Sequence, residues 1–283
     1  MKNLFIISLF LLTSKLSANI IRIYDTDKKI NITYEDLIKE TTASSYVVMG
    51  EFHNDLQIQK AEGQIIKDTI LNAVNKPKAS VMWEFLNFTE QSDISLYFNQ
   101  FITNQISVDE FLKNTAGEQN ATYAEVINVA KEFKTSLIGL NLPRDLKQKV
   151  IKGGLTSIDS KLIPPSHYLG GLNYYSRFNE SMGGHVPEDK VKAYYLAQCL
   201  TDSVMAHHAL ANQSDLNFII AGSFHTDFTD GTVEKLTKLT NSPLTTLKIV
   251  NDDNLEDSDR SIFENGDLNY GQFANFIIFT SEK

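Results

Sequence analysis

Tyr46-Val47-Val48-Met49-Gly50-Glu51-Phe52-His53 is a short apolar run that ends at a glycine and then delivers a carboxylate and an imidazole. Its length, β-branched centre and glycine stop read as a buried strand. Gly50 lets the backbone turn where a side chain would obstruct it. Polar groups just beyond the C-terminal end of a parallel strand mark where open α/β sheets bind ligands. The arrangement recurs late in the chain, where Phe218-Ile219-Ile220-Ala221 runs into Gly222-Ser223-Phe224-His225. Gly-x-x-His thus closes a strand twice, at His53 and at His225.

Outward from that strand, Ile20 to Tyr24 reads as a strand, and Thr33 as the N-cap of a short helix with Glu35 and Asp36 in its first turn. Asp55 opens a helix to about Val74 that carries Leu56, Ile58, Ile65, Ile66 and Ile70 at helical spacing. Ala79 to Phe85 is a second core strand. Glu84 lies in it beside Trp83 and Phe85, where a charge is costly without a partner. Residues 89–134 carry helical spacing in pieces. Ser136 to Leu140 is the next strand, and Pro143 before Arg144 suits the start of a helix. The longest helix runs from Pro187 to about Asn212. After the strand ending at Gly222 come a helix near Gly231 and strands from Leu244 to Val250 and from Phe273 to Thr280. Asn251 to Asp259 reads as an acidic, mobile loop. The expected fold is α/β, a mostly parallel sheet flanked by helices, with a helical or lid excursion around residues 152–187. That excursion holds Gly153-Gly154, Gly170-Gly171, Gly183-Gly184 and Pro164-Pro165, together with His167, Tyr168, Tyr174, Tyr175, Phe178 and His185. Long irregular connections of this kind are usually functional, and this one reads as a lid carrying aromatics over a crevice.

Residues 1–18 stand apart. Lys2, the apolar run from Leu4 to Leu12 and Ser17-Ala18 read as a secretory signal peptide. The apolar part is shorter than the roughly 20 residues of a membrane span. The expected organisation is therefore a signal peptide at 1–18 and one α/β domain with its excursion at 19–283, exported to the periplasm or cell envelope. No cysteine near the signal peptide offers a lipid attachment site. The sole cysteine, Cys199, excludes an intramolecular disulfide and reads as a buried thiol in the long helix. A net charge of −9 without a Lys/Arg block argues against nucleic acid and anionic membranes as partners.

Right-handed crossovers in a parallel sheet put the strand ends Glu51/His53, Glu84, Asn141/Arg144 and His225 along one edge. Gln198, Asp202 and Met205 share one face of the long helix. Taken singly, each has an ordinary structural explanation: a loop histidine bonded to a carbonyl, or a Glu84–Arg144 ion pair. Their convergence at strand ends favours a site. A carboxyl among apolar neighbours should titrate high, which would suit Glu84 as a general base. His207 and His208 are adjacent in a helix and read as surface residues. No His-Glu-x-x-His, Gly-x-Ser-x-Gly or Walker pattern is present, against the common zinc, serine and nucleotide enzymes.

The chain resembles the ChaN-like haem-binding proteins of bacterial iron uptake. The pieces that carry the resemblance run through the whole chain after residue 18. They are Arg22 to Thr26, Gly50-Glu51-Phe52-His53, Glu84, Asn141-Leu142-Pro143-Arg144, Lys152-Gly153-Gly154-Leu155, Ala197-Gln198 with Asp202 and Met205, and Ala221 to His225. The resemblance implies an exported protein that binds haem at the cell envelope, with a homodimer sandwiching the ligand and an outer-membrane receptor as expected partners. The wider superfamily is similar to Tiki-type metal-dependent peptidases and erythromycin esterases. It implies the alternative, a hydrolase working through Glu51, His53, Glu84 and His225, with a divalent metal. Phe224 stands where relatives often have a small residue and narrows the crevice. Haem requires apolar contact, an axial donor and cations for its propionates. His167, Tyr168, Tyr174, Tyr175, His185 and Arg144 are the residues expected to supply these. Tyr174 or Tyr175 is the first choice for the iron, because a phenolate is a hard donor suited to ferric iron.

Overall fold

The computed structural model describes residues 19–282 apart from 76 and 185. The expected signal peptide and His185 lie outside the described residues. Strand β1 (Ile20–Asp25) pairs with the short β2 (Ile30–Asn31), and α1 (Tyr34–Thr42) follows. Thr33 caps α1 through its hydroxyl while Asp36 accepts from the Thr33 N–H, so two otherwise orphaned donors are satisfied at once. β3 (Tyr46–Glu51) leads through the N-cap Asp55 into α2 (Leu56–Asn72) and on to β4 (Ala79–Asn87). Helices α3 (Gln91–Ile102), α4 (Val108–Thr115) and α5 (Ala124–Phe133) precede β5 (Ser136–Asn141), and α6 (Arg144–Gly153) starts directly behind Pro143. The excursion contains α7 (Leu172–Ser181) and returns through α8 (Glu188–Ala211). The chain closes with β6 (Leu216–Gly222), the one-turn α9 (Ser223–Thr226), α10 (Gly231–Leu239), β7 (Leu244–Asn251), α11 (Asp257–Asn265) and β8 (Phe276–Thr280).

The eight strands form one sheet in the order β2-β1-β8-β7-β3-β6-β4-β5. From β8 to β5 every pairing is parallel, and only β1 is reversed, antiparallel to both β8 and β2 at the edge. The α/β, mostly parallel expectation therefore holds. β6, the last of the central three in sequence, is inserted between β3 and β4. That insertion places Gly222 to His225 between Glu51 and Glu84.

Both faces of the sheet are covered, as parallel strands require. Val47, Met49, Val81, Trp83, Phe218 and Ile220 point into one core, with Ile58, Ile65 and Ile66 of α2 and Val126 and Ile127 of α5. Val48, Met82, Ile219 and Ala221 point into the other, with Met205 of α8 and Val233 and Leu236 of α10. Side chains alternate along a strand. Glu51, two residues beyond Met49, thus faces the α2 side, and Glu84, two beyond Met82, faces the α8 side. The two carboxylates reach the crevice from opposite faces of the sheet.

The excursion has a core of its own, Tyr174, Phe178, Val191, Tyr195 and Cys199. Cys199 is fully buried, with its Sγ accepting from the Gly170 N–H at 3.3 Å. The acidic stretch Asn251 to Asp259, expected as a mobile loop, instead holds a 3-10 turn (Asp252–Asn254) and the first turn of α11. Arg260 donates to Asp252 at 2.6 Å and to Asp257 at 2.8 Å, which neutralises that end of the helix. Among the described residues no helix is long and apolar enough to cross a membrane.

Candidate functional site

The C-terminal ends of β3, β6 and β4 open into a crevice of about 330 Å³. Glu51, His53, Glu84 and His225 line it, together with Phe52, Phe178, Gln198, Gly222, Ser223 and Phe224. The strand-end residues Glu51, His53, Glu84 and His225 are thus brought together.

Each imidazole is set by its own carboxylate. His53 Nδ1 lies 3.0 Å from Glu51, and His225 Nδ1 lies 2.6 Å from Asp202. An ionised carboxylate only accepts, so both Nδ1 atoms carry the proton in these bonds. Both Nε2 atoms then turn toward Glu84, at 4.0 Å from His53 and 3.3 Å from His225. Glu84 also accepts the Gly222 N–H at 2.6 Å. Gly222 is required here for space, since a Cβ on it would stand 2.5 Å from His53 Nε2.

The two histidines differ in exposure. The His53 side chain is 37% exposed and edge-on to Phe85, whereas that of His225 is 9% exposed. Asp202 is fully buried and also accepts from Tyr174 at 2.7 Å and Thr232 at 3.1 Å. Burial disfavours charge on His225, but the Glu84 and Asp202 carboxylates beside it hold its pKa up at about 10. Burial likewise pushes Glu84 up, but His225, then His53 and the Gly222 N–H, outweigh it and hold the carboxyl at about 2. The expectation of a high-titrating Glu84 is therefore corrected: its partners, invisible in the local sequence, make it half of a buried ion pair. Burial works against charge on His53 too, yet the Glu51 bond and the Glu84 charge raise it. An oriented, half-open imidazole next to an anchored carboxylate can accept or deliver a proton in the crevice.

A second polar cluster lies under the mouth. Lys248 is buried and pairs with Asp227 at 2.9 Å, and it also donates to Ser223, whose hydroxyl donates to the Glu51 carbonyl at 2.7 Å. Burial drives the Asp227 carboxyl up and the Lys248 ammonium down, against their mutual attraction. Arg177 of α7 clamps the same corner, donating to the carbonyls of Asp227 at 3.0 Å and Phe224 at 2.9 Å. Neither Lys248 nor Arg177 was singled out by the sequence reading. Lys248 had a signal of the Glu84 kind, a charge inside the apolar run Leu247 to Val250.

The other expected residues lie elsewhere. Arg144 is exposed at the start of α6 and does not line the crevice, and the Glu84–Arg144 ion pair does not form. His167 is bonded to Ser203 at 2.9 Å, and Tyr168 packs under Lys235 at 3.8 Å. Tyr174 is fully buried, its hydroxyl committed to Asp202, which corrects its place as a first choice for iron. Tyr175 is half-buried and edge-on to Tyr195, and no hydrogen bond engages its hydroxyl among the described residues. Gln198 and Asp202 do share the crevice-facing side of α8, while Met205 is core. His208 is not a free surface residue, because it stacks on Phe88 at 4.3 Å and burial lowers it to about 4. Among the described residues no group of three or more His, Cys, Asp and Glu is disposed to hold a metal ion.

A family model described as haem-binding uptake, Tiki superfamily, ChaN matches residues 37–236. The solved structure of ChaN of Campylobacter jejuni, described as binding haem cofacially, superposes with a TM-score of 0.72 at 18% identity. The match covers 92% of this chain and 96% of that one. The type III effector HopBA1 is similar at a TM-score of 0.47 and 14% identity, over 95% of this chain and 99% of its own. The erythromycin esterase EreC gives 0.44 at 14% identity, over 87% of this chain and 78% of its own. No curated protein matches.

Proposed function

Because the chain belongs to the haem-binding uptake family of ChaN, we propose that it is an exported haem-binding protein of the cell envelope. The observation that carries this reading is the family match across residues 37–236, which takes in both the crevice and the whole excursion. The residues of the excursion suit a flat macrocycle. Leu169 and Leu172 stand 52% and 85% exposed on either side of Gly170-Gly171, and Leu172 shares its face of α7 with Tyr175. Lys192, paired with Glu188 at 2.7 Å, is close enough to Tyr175 to feel its hydroxyl and offers a cation for a propionate. The iron would take the Tyr175 phenolate as a hard oxygen donor. An open surface of this kind also suits the cofacial binding described for the Campylobacter jejuni protein, with a second copy of this chain covering the ligand. Export rests on Lys2, the Leu4 to Leu12 run and Ala18, and would give a mature chain starting near Asn19. The test is a hemin spectrum of purified protein against Tyr175→Phe, which keeps the ring and removes the oxygen. The charge-transfer band should change in that variant and not in Tyr194→Phe. An unchanged band in Tyr175→Phe would move the ligand to another residue.

A second reading is favoured by one feature of the crevice. Two imidazoles, each oriented by its own carboxylate, aim Nε2 at the same anchored carboxylate, Glu84. That arrangement suits acid–base hydrolysis with His53 as the open group. Simple esters and peptides, with and without divalent metal, are the substrates to screen. An activity lost in a folded Glu84→Gln protein would support hydrolysis, and no turnover under any condition would end it.

A further inference from the structure

Behind His53 lies a carboxyl that the crevice does not expose. Glu62 of α2 is fully buried, and among the described residues neither of its oxygens receives a hydrogen bond from any N–H or hydroxyl. A carboxylate in that state would be a bare buried charge, which proteins do not tolerate without a partner. Gln59, three residues earlier on the same buried face of α2, reaches Glu51 at 2.5 Å, and the group that Glu62 meets there is this second buried carboxyl. Two carboxyls side by side cannot both ionise, and the pair resolves by one of them keeping a proton.

The donors decide which one. Glu51 accepts from the Tyr123 hydroxyl, from Gln59 Nε2 at 2.5 Å and from His53 Nδ1 at 3.0 Å. Glu62 accepts from none of these. A carboxylate has about four lone-pair sites, so a proton donated by Glu62 would complete the set around Glu51. We infer that Glu62 is a positioning residue, a buried carboxylic acid that donates its proton to Glu51 and through Glu51 holds His53 with Nε2 open to the crevice. Glu62 thus adds no second negative charge on the α2 side and leaves Glu51 a pure acceptor for the imidazole. Burial and the nearby Glu51 charge both push the Glu62 carboxyl well above the usual carboxylate range, in agreement with this. The inference deepens the reading of the crevice as an acid–base site and rests on it. Its test needs neither hemin nor a substrate, so failure of either function leaves it separately decidable.

The groups facing His53 are Glu51, Glu84 and His225, and those facing Glu62 are Glu51 and Tyr123. The experiment follows the His53 ring by nitrogen-detected NMR titration, assigned with His53→Gln, in the wild type, Glu62→Gln and Glu62→Leu. Glutamine restores a donor to Glu51, so Glu62→Gln should leave the His53 midpoint within about 0.3 units of the wild type, with the Nδ1–H form retained. Leucine donates nothing. It should leave Glu51 the stronger acceptor and raise the midpoint by roughly half a unit to one unit. If both variants lower the midpoint alike, Glu62 carried a negative charge and the inference is wrong. If neither variant moves it, Glu62 does not act on His53 and the inference is equally wrong. Should Glu62→Leu fail to fold, infrared spectra of the other two proteins still decide the protonation state. A carboxylic-acid C=O band at neutral pH, lost in Glu62→Gln, supports the inference, and absence of that band from the wild type overturns it.

Discussion

The two Gly-x-x-His arms share a sequence pattern and a position at a strand end, yet they sit in unlike surroundings. The β6 arm is sealed, with His225 buried between Asp202 and Glu84 and held charged by both. The β3 arm is open, with His53 over a third exposed and its Glu51 partner backed by neutral donors from α2 and Tyr123. Identical spacing has therefore produced a fixed ionic strut on the α8 side and an adjustable imidazole on the α2 side. Motif identity sets where a residue stands, and the helix packed against it sets what it can do.

Removing one member of the sealed arm should have the largest effect. Glu84→Ala removes one of the two carboxylates that hold the buried His225 imidazolium, and a broken buried pair costs about 3–5 kcal/mol. His53→Ala on the open arm should cost about 1 kcal/mol or less, as for ordinary half-exposed positions. Urea denaturation of the two variants reads the contrast. Equal losses would abolish the distinction between the arms.

The pH dependence of stability should show the same asymmetry at somewhat smaller size. His225 titrates at about 10 in the folded protein against 6.5 for a free imidazole. A raised pKa means that its contribution is complete below pH 6.5 and disappears as pH rises through 10. Glu84 is depressed to about 2 from 4.5, so its contribution is complete above pH 4.5 and is lost as pH falls through 2. These are two ends of one ion pair and are counted once. Denaturation midpoints of the wild type should fall between pH 7 and pH 10, and in His225→Gln that alkaline fall should be largely gone. A persisting alkaline fall in His225→Gln would assign it to another group.

Much of this was legible in the chain. Tyr46 to His53 and Phe218 to His225 announce the parallel core and its reactive edge. The sequence brought Glu51 and Glu84 to one edge but not to their faces, because strand parity separates them only once Met49 and Met82 are placed in opposite cores. What stayed hidden depends on contacts distant in sequence. Tyr123 meets Glu51, Tyr174 meets Asp202, and Arg177 meets the carbonyls around Phe224 only after the helices close on the sheet. Glu84 drew notice as a lone charge in an apolar strand, but its low pKa comes from His225, far along the chain. The start of α11 was missed because the acidic run Asn251 to Asp259 suggested a solvated loop, whereas Arg260 supplies the counter-charge from within the helix.

Gly222→Ala should have a small effect on stability, of the order of that of His53→Ala, and a selective effect on the arms. Its Cβ would press on His53 Nε2 at 2.5 Å and more loosely on Glu84 at 3.4 Å. The exposed ring can swing away, so the cost should be about 1 kcal/mol, near the low end for overpacking. His53 should change its rate of modification by diethyl pyrocarbonate, while His225 stays protected. A loss of protection at His225 instead would mean that the sealed arm is the more yielding one.

Haem binding by the folded chain is tested most directly by titrating hemin into the purified protein and following the visible spectrum. A sharp Soret band that saturates at a fixed ratio of hemin to protein is the expected result. A broad band that rises without saturation and matches free hemin would contradict it.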